Sequence, residues 1–524
     1  KMQSLDFARF GTLLERSNMD SKLHQSEGVR WCLSRETDKD DTRRGGIMAD
    51  EMGLGKTIQM LGVIVCNIKK HTLIVLPKAL LNQWVKSVND VFNHEPILYH
   101  GQNVKNLTEE ILTNNPIVIT TYGMLNNKNN DSLLHMIKWD RIIFDEAHHL
   151  RNKKTRKLEG AQNMKCANKK CIMWFVTGTP IQNRLSDLHS LYKLLGIPKT
   201  EYRNPQNHAN LKKKYIIKRT KNEVNLNIPK TNEKKIYIDW QNESERDVAE
   251  ELHTYSATNS QPFSIEKSKF ANPYMKPTLP FTMFSKQLCV CPKAFQPHLT
   301  NLLKEDKEDF EEPIKNMLVK TGNSKMDTVI KTITQRKNDR KKLIFCQFRT
   351  EINTVKDALK LHGFNVDVVD GTTSQNKRKE ILENQDKPTN QDPNYTLILQ
   401  IQVGCEGLNL QSFSEVYFLS PNWNPAIEDQ AIARCHRIGQ DQEVDIFRFY
   451  MNDFDRHSIS LDTYIKDTQK EINFFFKTYS FFFCCSLVWS FNSFFLAASS
   501  SKQAASHCTV FLPPWPVSPL RKDP

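Results

Sequence analysis

Residues Gly46 to Met60 read GIMADEMGLGKTIQM, a glycine-rich turn that ends in Gly55-Lys56-Thr57 and opens a helix. In such a turn the backbone N–H groups and the helix N-terminus surround phosphate oxygens. The Lys56 ammonium then reaches the β and γ phosphates of a nucleoside triphosphate, and the Thr57 hydroxyl ligates magnesium. The general template, G-x-x-x-x-G-K-T, is not met in full, because Asp50 stands at its first position. Read alone, the segment competes with a solvated turn carrying a chance Lys-Thr pair.

About ninety residues on, Trp139-Asp-Arg-Ile-Ile-Phe runs into Asp145-Glu146-Ala147-His148. Two adjacent carboxylates at the C-terminal end of an apolar strand stand where open α/β sheets bind ligands. Asp145 is expected to hold Mg2+, and Glu146 to orient or deprotonate the attacking water. An acidic loop or a helix cap would explain DEAH by itself. Paired with Gly55-Lys56-Thr57 upstream, it points to a nucleoside triphosphatase.

Outward from these two segments, short apolar runs alternate with polar or amphipathic stretches, the rhythm of βα units around a parallel sheet. The runs are Thr72 to Leu76, Ile117 to Thr120, Ile142 to Phe144 and Ile172 to Thr177. The rhythm returns in Leu343 to Cys346, Val366 to Val369, Thr396 to Gln400, Val416 to Leu419 and Val444 to Tyr450. The fold class is therefore α/β, with an N-terminal segment over 1–44, a first lobe over 45–200 and a second over 324–455. Between the lobes, 201–323 is rich in Lys, Glu, Asn and Pro and is read as helical extension and linker.

The chain has 524 residues, with 39% apolar and 25% charged side chains. That length allows about three domains, and the composition is that of a globular protein, not a disordered chain. With 73 Lys plus Arg against 59 Asp plus Glu, the net charge is +14, which favours a polyanionic partner, nucleic acid first among them. The twelve cysteines are scattered, so a reducing compartment is expected. Cys166 and Cys171, like Cys289 and Cys291, lack the companion pair that a structural zinc site needs. The tail, 456–524, changes character: Ile472 to Lys522 contains no Asp or Glu and is crowded with Phe, Cys and Ser. Phe481 to Ala498 approaches the length of a membrane anchor but is interrupted by Ser and Asn. Composition favours a stretch read through from non-coding sequence over an anchor or a buried segment. The chain opens on Lys1, not Met, and is read as a piece of something longer.

From Leu23 to Tyr450 the sequence resembles the Swi/Snf-type helicase-like ATPases of helicase superfamily two. The resemblance rests on an ordered set: LHQSEGVRWCL at Leu23, DEMGLGKTIQ at Asp50, LIVLPKALLNQW at Leu73, VITTYGML at Val118, DEAH at Asp145 and VTGTPIQNRLSDLHSLYKLL at Val176. KQLCVCP at Lys286, LIFCQF, VGCEGLNLQ and WNPAIEDQAIARCHRIGQDQEV at Trp423 complete it. In this family's phosphate loop Asp takes the position of Asp50, so the departure from the general template becomes support.

The resemblance implies two RecA-like lobes with helical insertions between them, and ATP with Mg2+ as cofactors. It implies catalytic roles for Lys56, Asp145, Glu146, Arg434 and Arg437, the two arginines being fingers three apart on one helix face. Nucleotide contacts are expected at Gln25, Asp50, Gly53, Gly55, Lys56, Thr57, His148 and Gln430, and metal contacts at Thr57 and Asp145. The implied partner is double-stranded DNA, carrying nucleosomes or other bound proteins and held by Lys78, Gln83, Thr121, Tyr122, Gly407 and Asn409. Neither a membrane nor structural zinc is expected. Residence is expected in the nucleus, with a viral factory or the cytoplasm as alternatives. The leading expectation is an ATP-dependent duplex translocase that remodels protein–DNA complexes. A strand-separating RNA or DNA helicase and a DNA-binding scaffold without turnover are the alternatives; Thr177-Gly178-Thr179-Pro180 and Gln440 weigh against the first.

Overall fold

A computed structural model describes residues 2–17, 19–126, 132–152, 155–164, 171–181, 185–224, 226, 228–258, 279–292, 322–336, 338–385, 394–404, 408–454 and 459–470. Seven strands build the first sheet: β1 (Arg44–Met48), β2 (Thr72–Leu76), β3 (Ile97–Tyr99), β4 (Ile117–Thr121), β5 (Arg141–Asp145), β6 (Ile172–Val176) and β7 (Ile216–Ile217). They pair in the order β3-β4-β2-β5-β6-β1-β7. The second sheet holds β8 (Thr231–Ile238), β9 (Lys342–Cys346), β10 (Asn365–Val369), β11 (Tyr395–Gln400), β12 (Glu415–Phe418) and β13 (Val444–Met451), in the order β10-β11-β9-β12-β13-β8. Every pairing in both sheets is parallel.

Continuous apolar runs become strands here because helices cover both faces of each sheet. β2, β4, β5 and β9 are buried at every residue. Alternate side chains feed opposite cores: Ile47, Leu73, Val75, Ile142 and Phe144 enter one cluster, and Met48, Ile74, Leu76 and Ile143 the other. The second sheet repeats the arrangement, with Ile344 and Cys346 on one side and Leu343 and Phe345 on the other.

The stretch read as helical extension and linker contains two strands. β7 closes the edge of the first sheet, and β8 forms the edge of the second beside β13. β8 carries exposed Thr231, Glu233, Lys234, Lys235 and Tyr237, and only Ile238 is fully buried. An edge strand of that pattern gives no apolar run to read, although it pairs with β13 over all eight residues. Helix Leu279–Val290 also joins the second lobe, placing Cys289, Val290 and the following Cys291 in its core. Cys171 is half-buried, while Cys166 lies outside the described residues. Among the described residues no three His, Cys, Asp or Glu side chains group as a metal site, and no helix is long and apolar enough to cross a membrane. Phe481 to Ala498 lies outside them.

A buried ion pair fastens helix Leu23–Thr37 to the first sheet. The Glu36 carboxylate accepts from Arg141 Nε at 2.7 Å, Asn67 Nδ2 at 2.6 Å and Trp174 Nε1 at 2.8 Å. Both charged side chains are fully buried. Removing one partner of such a pair costs about 3 to 5 kcal/mol, because the other charge is left without its counter-ion in a low-dielectric interior. Arg141→Met is expected to lower the melting temperature by about 10 °C, on the scale of 2 to 4 °C per kcal/mol for a lobe of this size. Thermal melting checks it, and Glu36→Met added to Arg141→Met should recover part of the loss.

Candidate active site

Three sequence segments converge because three neighbouring strands end level. Met48 of β1 pairs in register with Val176 of β6, and Val176 with Asp145 of β5. At about 4.8 Å between strands, the phosphate loop after β1 and the acidic pair ending β5 are about 10 Å apart, with Thr177-Gly178 between them. The loop turns through Gly53 (φ 89°) and Gly55 (φ 80°), left-handed conformations that glycine adopts without strain. Helix Lys56–Cys66 begins directly after it. Lys56 Nζ donates to the carbonyls of Asp50 at 3.0 Å and Glu51 at 3.4 Å. Burial pulls the proton affinity of Lys56 down, while Glu146, Asp145 and Asp50 oppose the shift.

Asp145 and Glu146 are both buried but differently placed. Asp145 Oδ2 accepts from the Trp84 indole at 2.7 Å, and Oδ1 from the backbone N–H of Glu146 at 2.9 Å. Burial and the adjacent Glu146 charge raise its pKa. Glu146 moves the other way: burial alone would raise its pKa, but His148, Arg434 and Lys56 outweigh that and hold the carboxylate ionised. Its Oε2 lies 3.3 Å from His148 Nδ1, which is 3.4 Å from the Thr177 hydroxyl. Glu146 also has φ 49° and ψ 51°. A non-glycine residue held there costs about 1 to 3 kcal/mol, a strain found at functional sites. The neighbouring Asp145 carbonyl is pinned by the Tyr122 hydroxyl at 2.7 Å.

The second lobe contributes from across the cleft. Arg434 Nη2 is 3.7 Å from Glu146 Oε1. Arg437 lies over the phosphate loop, where a Cβ added to Gly53 would come within 3.3 Å of its own Cβ. The two arginines do not share a helix face as expected, because helix Pro425–Cys435 stops before Arg437 and His436 caps it. The chain turns there, and Gln440 secures the turn by donating to the carbonyls of Gln411 at 2.9 Å and Cys435 at 3.2 Å. Lys221, between β7 and β8, joins the lobes: its N–H donates to Glu51 Oε2 at 2.8 Å and its ammonium to the His436 carbonyl at 2.7 Å.

The sequence profile of the SNF2-related domain matches residues 24–294. The chain belongs to the SNF2-related family. That of the helicase conserved C-terminal domain matches residues 324–439 of this SNF2-related chain. The chain is 28% identical to the DNA excision repair protein ERCC-6-like of Homo sapiens over 522 residues, covering 84% of this chain and 40% of that protein. It is 26% identical to the DNA repair protein RAD5 of Debaryomyces hansenii over 616 residues, covering 78% of this chain and 51% of that protein. It thus spans about half, or less, of the length of these relatives. Among solved structures it is similar in fold to the helicase domain of Pyrococcus furiosus Hef, with a TM-score of 0.54 at 17% identity, covering 82% of this chain and 95% of that one. This is the helicase-like ATPase architecture of two RecA-like lobes.

Within this SNF2-related chain the remaining expected residues separate by burial. Asp50 has no carboxylate oxygen facing the cleft: it is fully buried and accepts from Arg219 Nε at 3.0 Å, Arg219 Nη2 and Gln59 Nε2 at 3.2 Å. Its place in the loop is that of a brace. Gln25 is likewise buried and donates to the Leu54 carbonyl at 3.3 Å, supporting the loop from beneath. Thr57 is half-buried one residue into its helix. His148 and Gln430 face a cavity of the cleft that no phosphate-loop residue lines.

Of the expected DNA contacts, Lys78, Gln83 and Asn409 are exposed. Thr121 and Tyr122 are buried, Thr121 beside His100 Nδ1 at 3.3 Å and Tyr122 packed on Phe144 and His149, so their side chains support the site from within. Gly407 lies outside the described residues. Arg219, Lys221 and Trp84 were not singled out from the sequence. Each acts through contacts made far from its own position in the chain, and no local pattern marks such contacts.

The residues fit the cofactors that the family implies. Thr57 and Asp145 offer hard oxygen ligands of the kind Mg2+ takes. Glu146 Oε2 is buried beside His148 Nδ1 at 3.3 Å. Bound there, the metal would neutralise phosphate charge.

Proposed function

We propose that this chain is a DNA-dependent ATPase that tracks along double-stranded DNA and displaces or remodels the proteins bound to it. The observation that carries the reading is the pairing of Glu146 with Arg434 across the cleft, 3.7 Å apart, with Arg437 over the phosphate loop. Groups needed for one reaction are divided between two lobes, so the site is complete only when the lobes meet, and each cycle of closure moves one relative to the other.

In this reading Glu146 takes the proton of the attacking water, Lys56 holds the β and γ phosphates, and Arg434 and Arg437 stabilise charge on the transferring group. Lys78 and Gln83 on one lobe and Asn409 on the other hold the duplex by its backbone, so binding is largely independent of sequence and weakens steeply with salt. Nucleosomes or other DNA-bound proteins are the cargo, and the nucleus is the place of work.

Steady-state ATP hydrolysis with no nucleic acid, duplex DNA, single-stranded DNA or RNA tests the reading, with Lys56→Ala as the blank. Strong stimulation by duplex DNA that is absent in Lys56→Ala is the expected result. Preferential stimulation by RNA would make the chain a strand-separating helicase, and DNA binding without turnover would make it a scaffold.

A further inference from the structure

Residues 459–470 lie beyond the helicase C-terminal profile, which ends at 439, and beyond 455, where the sequence pattern places the end of the second lobe. They nevertheless pack into that lobe. Residues 461–470 are helical, and Leu461 and Ile465 join the core cluster of Val329, Ile333 and Phe449. Asp462 is fully buried, pairs with Lys325 at 2.5 Å and accepts from the Met451 N–H at 3.0 Å. These partners stand on helix Ser324–Gln335 and on β13, so the segment is fastened at its near end.

The far end reaches the arginine helix. Gln469 Nε2 donates to the Asn422 carbonyl at 2.5 Å and to Glu428 Oε1 at 3.1 Å. Asn422 stands in the turn that leads into helix Pro425–Cys435, and Glu428 in the first turn of that helix. Glu428 is buried and has two further partners, the Asn422 N–H at 2.6 Å and the Arg448 guanidinium. Tyr464 meets Trp423 of the same turn edge-on, with ring centroids 6.1 Å apart. One side-chain amide thus ties turn and helix together.

Arg434 lies six residues beyond Glu428, about 9 Å along the axis at a rise of about 1.5 Å per residue. A helix moves as a rod, so a grip on its first turn also sets the place of the Arg434 guanidinium, 3.7 Å from Glu146. Misplacing a group at the reacting centre by about 1 Å can cost on the order of a hundredfold in rate. Neither group to which Gln469 donates is assigned to nucleotide or DNA.

We propose that Gln469 is a positioning residue for hydrolysis: by holding Asn422 and Glu428 together it seats the arginine helix, so that a segment outside both matched profiles sets the rate of the chemical step. The proposal rests on the reading of Arg434 as a finger and extends it to what aims that finger. Glu428 keeps Arg448 and the Asn422 N–H when Gln469 is altered, so no buried charge loses its counter-ion and the lobe stays folded. Release of 459–470 would leave ATP binding by the phosphate loop intact and slow only the step that needs the second lobe.

The test uses the full chain with Gln469→Met, which keeps length and removes the donor, beside Gln469→Lys, which keeps a donor; unchanged thermal melting establishes that both are folded. The readouts are kcat and KM for ATP at saturating duplex DNA, and amide hydrogen exchange in helix Pro425–Cys435. Gln469→Met should lower kcat about tenfold or more, with KM within about twofold of wild type, and should speed exchange in the helix. Gln469→Lys should restore both the rate and the protection. Wild-type kcat in Gln469→Met would overturn the proposal, and so would a loss that Gln469→Lys does not restore, which belongs to packing. If the wild-type chain hydrolyses no ATP, the ATPase reading fails by itself and exchange decides. Protection lost in Gln469→Met and kept in Gln469→Lys would retain Gln469 as the holder of the helix; equal protection in all three proteins would remove it.

Discussion

Glu146→Gln is expected to lower the steady-state rate of ATP hydrolysis by about a thousandfold while leaving ATP binding close to that of the unaltered chain. A positioned general base contributes roughly a hundred- to ten-thousandfold, and Glu146 is the carboxylate proposed for that role. It is held ionised against its own burial by His148, Arg434 and Lys56, and its backbone occupies a left-handed conformation. The Gln side chain keeps the volume and can still accept a hydrogen bond, but it cannot take a proton. The groups assigned to phosphate, Lys56 and the loop around Gly53 and Gly55, are untouched. Phosphate release measured beside a fluorescent-nucleotide titration separates the two effects, and vigorous turnover by the variant would remove Glu146 from this role.

Arg437→Ala should impair hydrolysis by a similar factor and change duplex affinity little. An arginine finger is worth about a thousandfold or more in rate, and Arg437 reaches the phosphate loop from the opposite lobe. Burial and the nearby Arg434 both work against its charge, and its buried Nε has no acceptor, so the side chain is matched to an anion. One contact complicates the measurement: Nη1 donates to Asn409 Oδ1 at 3.4 Å, and Asn409 is a proposed DNA contact. Asn409→Ala is therefore the necessary companion. Loss of turnover in Arg437→Ala without a matching loss in Asn409→Ala supports the finger, whereas a variant of Arg437 that lost only DNA binding would contradict it.

Why the strands were legible follows from where they lie. Strands such as β2, β5 and β9 are buried on both faces, so each appears as an uninterrupted apolar run. β3 and β7 are three and two residues long, too short for any periodicity. β8 is longer, but its exposed edge alternates Lys, Glu and Asn with Ile and Tyr, as the neighbouring linker composition does. Lys56, Asp145, Glu146 and Arg434, which the fold brings together in the cleft, were legible because each stands in a contiguous motif whose spacing is dictated by the turn it forms.

Two other kinds of residue were not legible. Tyr122 belongs to a motif, yet burial turns its hydroxyl inward to the Asp145 carbonyl, and sequence does not tell a motif residue that touches the ligand from one that holds the toucher. Arg219 meets Asp50 across 169 positions, a separation over which only the folded sheet order brings residues together.

In the proposed motor, the route of the chain between β7 and β8 would also set the leverage. The first sheet ends at Ile217 and the second begins at Thr231, so the covalent crossing between the two sheets lies beside the phosphate loop, where Lys221 grips Glu51 on one side and His436 on the other. A pivot placed there lies near the site of chemistry and far from the outer ends of the lobes. In that proposed cycle, a rotation that moved Arg437 by about an ångström would sweep those distant ends through a proportionally longer arc, so a small adjustment around a phosphate would become a larger displacement at the outer surfaces.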